Sequence, residues 1–245
     1  NSQEYKDRVS AGLNIHPANS FITLWQVHTV GDGTADDGNS FGYDIIESSN
    51  GIIYVAGQSS GDVGRTNGGP SGVYDVLGIE FFPTAYGSHL AGDISYYQAG
   101  DQYDEEIYAC TELANGKIAF CGRTGGSIGG TNYGGYDILL GIYNPIDDSI
   151  FWDQIGSGLN DRGINIHDVG NNLLAIVFET SGEIGSDTHI GSEDIGIIFY
   201  NYQTNTWGSA YQTGTAGTEL LSTIGKPSVK LTDGRIAICF STSGN

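Results

Sequence analysis

The chain has 245 residues, of which 29 are acidic and 9 are basic, and its formal net charge is −20. A surface of this sign repels phosphate backbones and anionic lipids, so neither nucleic acid nor a membrane is expected as a partner. No apolar run approaches the roughly 20 residues that span a bilayer. The 39 glycines, with 5 prolines and no methionine, favour a single all-β domain over residues 1–245.

Residues 1–30 are similar to the second half of a unit that recurs later in the chain. In YKDRVSAGLNIHP, followed by SFITLWQ, Asp7 takes the place that Asp137 has later, and Trp25 takes the place of Trp152. The N-terminal segment therefore predicts the last two strands of a repeated sheet.

A segment rich in oxygen ligands follows, GDGTADDGNS, with Asp32, Asp36 and Asp37. Its glycines and carboxylates are typical of calcium loops, but the EF-hand spacing is not met and no Glu stands at the twelfth position. A solvated loop between strands is the main interpretation. A Ca²⁺ site at the three aspartates is the alternative, and no other cofactor is expected.

Four segments then repeat at intervals of roughly 60 residues, a period typical of repeat architectures. They are YVAGQSSGDVG (54–64), AFCGRTGGSIG (119–129), AIVFETSGEIG (175–185) and AICFSTSGN (237–245). Other positions recur with them, namely an aspartate before a strand (Asp75, Asp137, Asp194), an aromatic residue (Tyr97, Trp152, Trp207) and a glutamine (Gln98, Gln154, Gln212). The repeated aspartates are interpreted as turn caps, and the aromatics as packing residues between neighbouring sheets.

The unit at residues 105–154 predicts four short strands. Its apolar runs cover residues 105–113, 117–122, 137–143 and 150–154. Asn115-Gly116 lies between the first two runs, and this dipeptide is typical of a two-residue type I′ hairpin. Such a loop would place Cys110 opposite Cys121 in a hydrogen-bonded pair, which suits a disulfide poorly. With Cys239 on another unit, three free, buried thiols are expected.

The C-terminal segment ends half-way through a unit, and residues 1–28 supply the missing half. A closed ring has this property if both termini share its last sheet. The sequence therefore predicts a four-bladed β-propeller with four-stranded antiparallel blades. Residues 7–15 and 20–28 are expected to pair, as outer strands of the last blade, with inner strands at residues 220–231 and 235–241.

The units resemble the SBBP type of bacterial β-propeller repeat. The resemblance rests on LWQVHTVGDGTADDGNS, on the Asn-Gly hairpin before IAFCG, on the arc Thr131 to Gly135 and on DILLGIYNP at residues 137–145. It covers essentially the whole chain, although this sequence supplies only four units where rings of the family are usually larger. The resemblance implies a secreted or surface-exposed bacterial protein, or a bacteriophage structural protein, mostly without a catalytic motif. An extracellular or virion location is expected.

No catalytic set is assembled in the sequence. His167-Asp168 on an expected inner strand could line a channel, but no nucleophile motif such as G-x-S-x-G accompanies it. With 29 acids, pairs at the spacing of glycosidase carboxylates occur by chance. We therefore expect no enzymatic activity.

Residues that break a repeat are the candidates for a specific site, because residues common to all units hold the fold. Tyr86 and His89 in the insertion 83–92 and Asp187 in the loop 187–192 are such candidates for partner binding, and Tyr103 and Tyr133 are added as tyrosines expected to be exposed in loops. The expected function is a non-enzymatic binding or structural module that contacts a protein neighbour in a virion or cell-surface assembly, or a host-surface glycan. The alternatives are a carbohydrate-active enzyme or lectin, and a fragment of a larger secreted propeller protein.

Overall fold

A computed structural model describes residues 38–62, 73–82, 94–222 and 226–243. In these ranges all regular structure is β-strand, and three antiparallel sheets of four strands follow one another along the chain. We call them unit 1, unit 2 and unit 3. The predicted all-β class with four-stranded antiparallel sheets is confirmed. Within the same ranges, no helix is long and apolar enough to cross a membrane.

Each sheet is a meander, because its strands pair in chain order. Unit 1 contains β1 (Ser40–Glu47), β2 (Ile53–Ser59), β3 (Asp75–Phe81) and β4 (Ile94–Ala99). Unit 2 contains β5 (Glu105–Glu112), β6 (Ile118–Thr124), β7 (Asp137–Asn144) and β8 (Ser149–Ile155). Unit 3 contains β9 (Asp161–Gly170), β10 (Leu173–Thr180), β11 (Asp194–Asn201) and β12 (Thr206–Thr213). All four strands predicted for residues 105–154 are present.

A fourth unit is represented by two inner strands that are interrupted. Its segments are β13 (Glu219–Leu220), β14 (Ser228–Lys230), β15 (Ile236–Ile238) and β16 (Ser241–Thr242). β13 pairs with β16, and β14 pairs with β15, both antiparallel. The predicted inner pair of the last blade is therefore present, although broken in the middle. The predicted outer strands at residues 7–15 and 20–28 lie outside the described residues.

The hairpin at Asn115-Gly116 differs from the sequence prediction. Only Gly116 has a positive φ, of 78°, whereas a type I′ turn needs positive φ at both central residues. Leu113 accepts a hydrogen bond from the Gly116 N–H and donates its own N–H to Lys117. The loop thus has three residues with glycine in the left-handed position, and the predicted opposition of Cys110 and Cys121 is wrong. Cys110 faces Phe120 instead.

All three cysteines are free, as expected, but they are not all buried. Cys110 and Cys121 are buried between strands, and burial raises the pKa of both thiols well above the usual range. Cys239 is exposed, which corrects the prediction of three buried thiols. Cys239 lies between β15 and β16. In the described residues, β15 pairs only with β14 and β16 pairs only with β13.

The first strand of each complete unit contains a bulge that points one side chain towards a common centre. The register shifts leave Tyr43, Tyr108 and Ile164 as extra residues at equivalent places. These residues join Leu221 of the fourth unit in one apolar cluster. The rings of Tyr43 and Tyr108 are 5.4 Å apart in an edge-on arrangement. Side chains from all four units therefore meet in one apolar cluster.

Two larger apolar clusters join neighbouring units. One packs Tyr54 of unit 1 against Phe120 and Leu139 of unit 2. The other packs residues such as Ile138 of unit 2 against Phe178 of unit 3. Each large apolar side chain that is fully buried contributes about 1.5–3 kcal/mol, so these seams are the main source of stability. The repeated aromatics lie there as predicted, since Tyr97, Trp152 and Trp207 all pack at or against these seams.

Candidate functional site

A repeated polar network holds the loops at one end of the sheets. We call this end the loop face, the side on which β5, β9 and β13 begin. In each complete unit the recurring glutamine donates from Nε2 to the carboxylate of the recurring aspartate and to a glycine carbonyl. The three glutamine–aspartate distances are 3.2 Å (Gln98–Asp75), 2.8 Å (Gln154–Asp137) and 2.9 Å (Gln212–Asp194). The aspartates also cap turns, as predicted, because Asp137 accepts the N–H of Tyr133 at 2.9 Å.

A glycine two residues after each glutamine lies between two carboxylates of neighbouring units. A Cβ on Gly156 would be 2.0 Å from Asp137 Oδ1 and 3.1 Å from Asp161 Oδ2. Gly100 and Gly214 have the same surroundings at the other two seams. The residue after the glycine donates its backbone N–H to the carboxylate of the next unit, as Ser157 does to Asp161 at 2.6 Å. Each seam between units thus contains a buried pair of acids.

Burial raises the pKa of some of these acids, whereas hydrogen bonds from Thr215 and Thr242 lower the pKa of Glu219. Burial, with a smaller contribution from the like charges of Asp101 and Asp75, raises the pKa of Glu105 to about 8, although hydrogen bonds from the Asp101 N–H and the Thr124 hydroxyl act to lower it. Burial also raises the pKa values of Asp137 and Asp161. The folded chain therefore retains a proton on Glu105 at neutral pH that the unfolded chain releases.

Stability is expected to fall as the pH rises from about 4.5, the ordinary pKa of glutamic acid, towards 8. Over this range the folded state binds more protons than the unfolded state, so the free energy of unfolding decreases with pH. The melting temperature should be higher at pH 5 than at pH 8 by roughly 5 °C. Thermal unfolding of the wild type and of Glu105→Gln checks this, because the amide cannot titrate. An equal pH dependence in both proteins would contradict the assignment to Glu105.

A pocket of about 340 Å³ opens on the loop face between units 1 and 2. Its lining residues are Val73, Gln102, Tyr103, Asp104, Gly125, Gly135 and Tyr136. Tyr103 is 51% exposed, and Tyr136 and Asp104 are half-buried. The size lies at the lower end of the range for small-ligand pockets.

Local hydrogen bonds fix the two loops that form this pocket. Asp101 accepts the N–H of Tyr103 and the N–H of Ser127, each at 2.9 Å, and so ties residues 101–104 to the arc after β6. Asn132 donates to the carbonyls of Gly125 and Gly126. The aromatic residues therefore sit on braced loops, which favours a preformed site.

A charge pair lies next to the Tyr136 ring but is not part of the pocket lining. The Arg123 guanidinium is 4.1 Å from the centroid of the Tyr136 ring and 2.7 Å from Glu106 Oε1. Burial raises the pKa of Tyr136, while the charge of Arg123 lowers it. The Tyr136 hydroxyl stays neutral and donates to Asp104 Oδ2 at 3.3 Å.

Of the predicted binding residues, Tyr103 lines this pocket. Tyr133 is 53% exposed on the same arc but is not part of the lining. Asp187 is half-buried and accepts a hydrogen bond from the backbone N–H of Gln212 at 3.0 Å. It is therefore part of the hydrogen-bond network that holds the loops. Tyr86 and His89 lie outside the described residues, as do Asp32, Asp36 and Asp37, and their roles stay predictions.

A second pocket, of about 670 Å³, lies at the opposite end of the inner strands. Hydrogen bonds between units surround it. The N–H and hydroxyl of Ser49 donate to Glu112, the N–H of Ala114 donates to Asp168, and the Lys230 ammonium donates to the Asp168 carbonyl. Its polar groups are thus largely occupied in joining units 1 to 4.

His167 lines this second pocket and has a partner that sequence spacing could not reveal. Its Nε2 is 2.9 Å from the Ser228 hydroxyl oxygen, which also accepts a hydrogen bond from Asn165 at 2.9 Å. Burial, together with the charges of Lys226 and Lys230, lowers the pKa of His167 to about 4. Because Ser228 is only 5% exposed, this contact chiefly joins β9 to β14.

No protein-family model matches the sequence, and no curated protein shows significant similarity to it. In the part of the chain that the structure describes, no group of three or more His, Cys, Asp or Glu side chains could hold a metal ion. The description of the site therefore depends on its own geometry.

Proposed function

We propose that the chain is a non-enzymatic binding or structural module that contacts its partner through the loop face. The observation that carries this proposal is the pocket at Tyr103, in which an exposed aromatic ring is presented on loops braced by hydrogen bonds. Rigid, exposed aromatic residues are typical contributors to binding energy at interfaces. The partner is a protein neighbour in a phage particle or bacterial surface assembly, or a host-surface glycan, and the location is extracellular or in the virion. The similarity to SBBP-type repeats supports this class.

The same proposal includes closure of the four units into a propeller by residues 1–28. Two contacts of the described residues support closure. Lys226, next to β14, is 3.2 Å from Asp44 of unit 1, so the fourth unit contacts the first. The apolar cluster around Tyr43 also includes Ile236 and Ile238 of the fourth unit.

A hydrolase is the second candidate, and the contact between His167 and Ser228 favours it. A hydroxyl within hydrogen-bond reach of a neutral imidazole is the arrangement of a nucleophile and its base. Burial of Ser228 and the lowered pKa of His167 oppose this role, because a good general base has a pKa near the working pH.

Replacing Tyr103 with alanine should weaken partner binding at least tenfold, because it removes the exposed ring and little of the core. Arrays of glycans and of peptides, probed with the purified protein, provide the measurement. Tyr211→Ala is the matched control, since it removes a similarly exposed tyrosine from unit 3, outside the pocket lining. Binding that survives Tyr103→Ala, or turnover of a substrate that is lost with Ser228→Ala, would contradict the proposal.

A further inference from the structure

We propose that the pocket at Tyr103 binds a cationic side chain, lysine or arginine, of a protein partner. This inference rests on the proposed binding function and names the chemistry of the group that is bound. Three features of the pocket support it: hydrogen bonds that already occupy several of its N–H groups, an exposed tyrosine ring, and negative charge.

The backbone N–H groups of four lining residues are already used within the chain. The N–H of Tyr103 donates to Asp101, and that of Tyr136 donates to Asn160 Oδ1 at 3.2 Å. The N–H of Gly125 donates to the Asp104 carbonyl at 2.9 Å, and that of Gly135 donates to the Leu159 carbonyl at 3.1 Å. These four N–H groups are therefore not offered to a ligand.

Asp104 is the charged acceptor. Its Oδ1 accepts the N–H of Tyr74 at 3.0 Å and its Oδ2 accepts the Tyr136 hydroxyl at 3.3 Å. A carboxylate has about four lone-pair sites, so about two remain for a ligand. Lysine and arginine carry only donors, and their complement is a carboxylate of this kind.

The aromatic rings suit a cation as well. Tyr136 already stacks with the guanidinium of Arg123, and the charge of Arg123 is compensated by Glu106. Tyr103 adds an exposed ring on the side open to solvent. A ligand cation over this ring would gain from its quadrupole, as Arg123 does from the ring of Tyr136.

The charge balance favours the same occupant. The lining includes one acid and no basic side chain, and the whole chain carries a net charge of −20. Such a field attracts a basic segment of a partner and repels an acidic glycan. A neutral glycan would gain nothing from the charge. A basic protein segment is therefore the favoured partner.

A capped tripeptide with a central arginine, compared with its citrulline counterpart, tests the inference. Citrulline retains the shape of arginine and removes its charge. In an NMR titration at physiological ionic strength, the arginine peptide should bind at least tenfold more tightly than the citrulline peptide. Tyr103→Ala and Asp104→Asn should each weaken arginine binding at least fivefold, whereas Tyr211→Ala should not change it.

Several outcomes would overturn the inference. Equal binding of both peptides would exclude recognition of the charge, and arginine binding that survives Tyr103→Ala would place it elsewhere on the acidic surface. Absence of arginine binding would also overturn it. If a neutral glycan then bound in a Tyr103-dependent way, the proposed function would stand. If neither arrays nor peptides showed Tyr103-dependent binding, both would fail. Should Asp104→Asn unfold, the citrulline comparison still decides.

Discussion

Replacing Gly156 with alanine is expected to destabilise the chain by about 1–3 kcal/mol, the usual cost of overpacking. The new Cβ would lie 2.0 Å from Asp137 Oδ1, much closer than any real contact, and 3.1 Å from Asp161 Oδ2. Both carboxylates are buried and held by hydrogen bonds, so neither can move without breaking the seam between units 2 and 3. Urea or thermal unfolding measures the loss.

Gly158→Ala is the matched control for this change. It lies two residues further along the same loop, and the nearest atom to its Cβ would be the Tyr133 carbonyl oxygen at 3.8 Å, an ordinary contact. Its effect should stay within about 0.5 kcal/mol. Equal stability of the Gly156→Ala variant and the wild type would show that the paired carboxylates do not require a glycine between them.

Deletion of residues 1–28 is expected to abolish cooperative folding of the ring rather than trim it. If these residues supply two strands of the last blade, their loss exposes the edge at β15 and β16 and uncovers apolar side chains such as Val229, which is 56% exposed among the described residues. Open edges and uncovered faces destabilise a sheet and promote aggregation. Circular dichroism on heating measures the loss of the transition.

Addition of a peptide with the sequence of residues 1–28 is the control for the deletion. It should restore the transition, because the missing strands can pair in trans. A truncated chain that melts at the wild-type temperature would defeat the closure proposal.

Local signals in the sequence were enough to predict most strands of the described units. Alternating apolar residues and turn residues fixed the strands at residues 105–154, and the recurrence of Asp137 and Gln154 placed two partners that prove to be hydrogen-bonded. These signals could not determine the register of the hairpin between β5 and β6. Asn115-Gly116 is compatible with a two-residue or a three-residue loop, and the bulge at Tyr108 shifts the pairing again.

The candidate site was only partly predictable. Tyr103 could be found because it is a tyrosine in an expected loop, but Asp104 and Tyr136 meet across 32 residues of sequence, and no local pattern indicates that contact. The contact between His167 and Ser228 spans 61 residues. By contrast, Gly100, Gly156 and Gly214 could have been found, since each follows a repeated glutamine by two residues.

Hydrogen–deuterium exchange of the segment 235–243 tests most directly whether the termini close a four-unit ring. In the described residues, β15 and β16 pair on one side only, so closure requires residues 1–28 to supply the other side. If the ring is closed, amides of this segment are protected for hours in the intact chain and exchange within seconds after deletion of residues 1–28. Equally rapid exchange in both proteins would contradict closure.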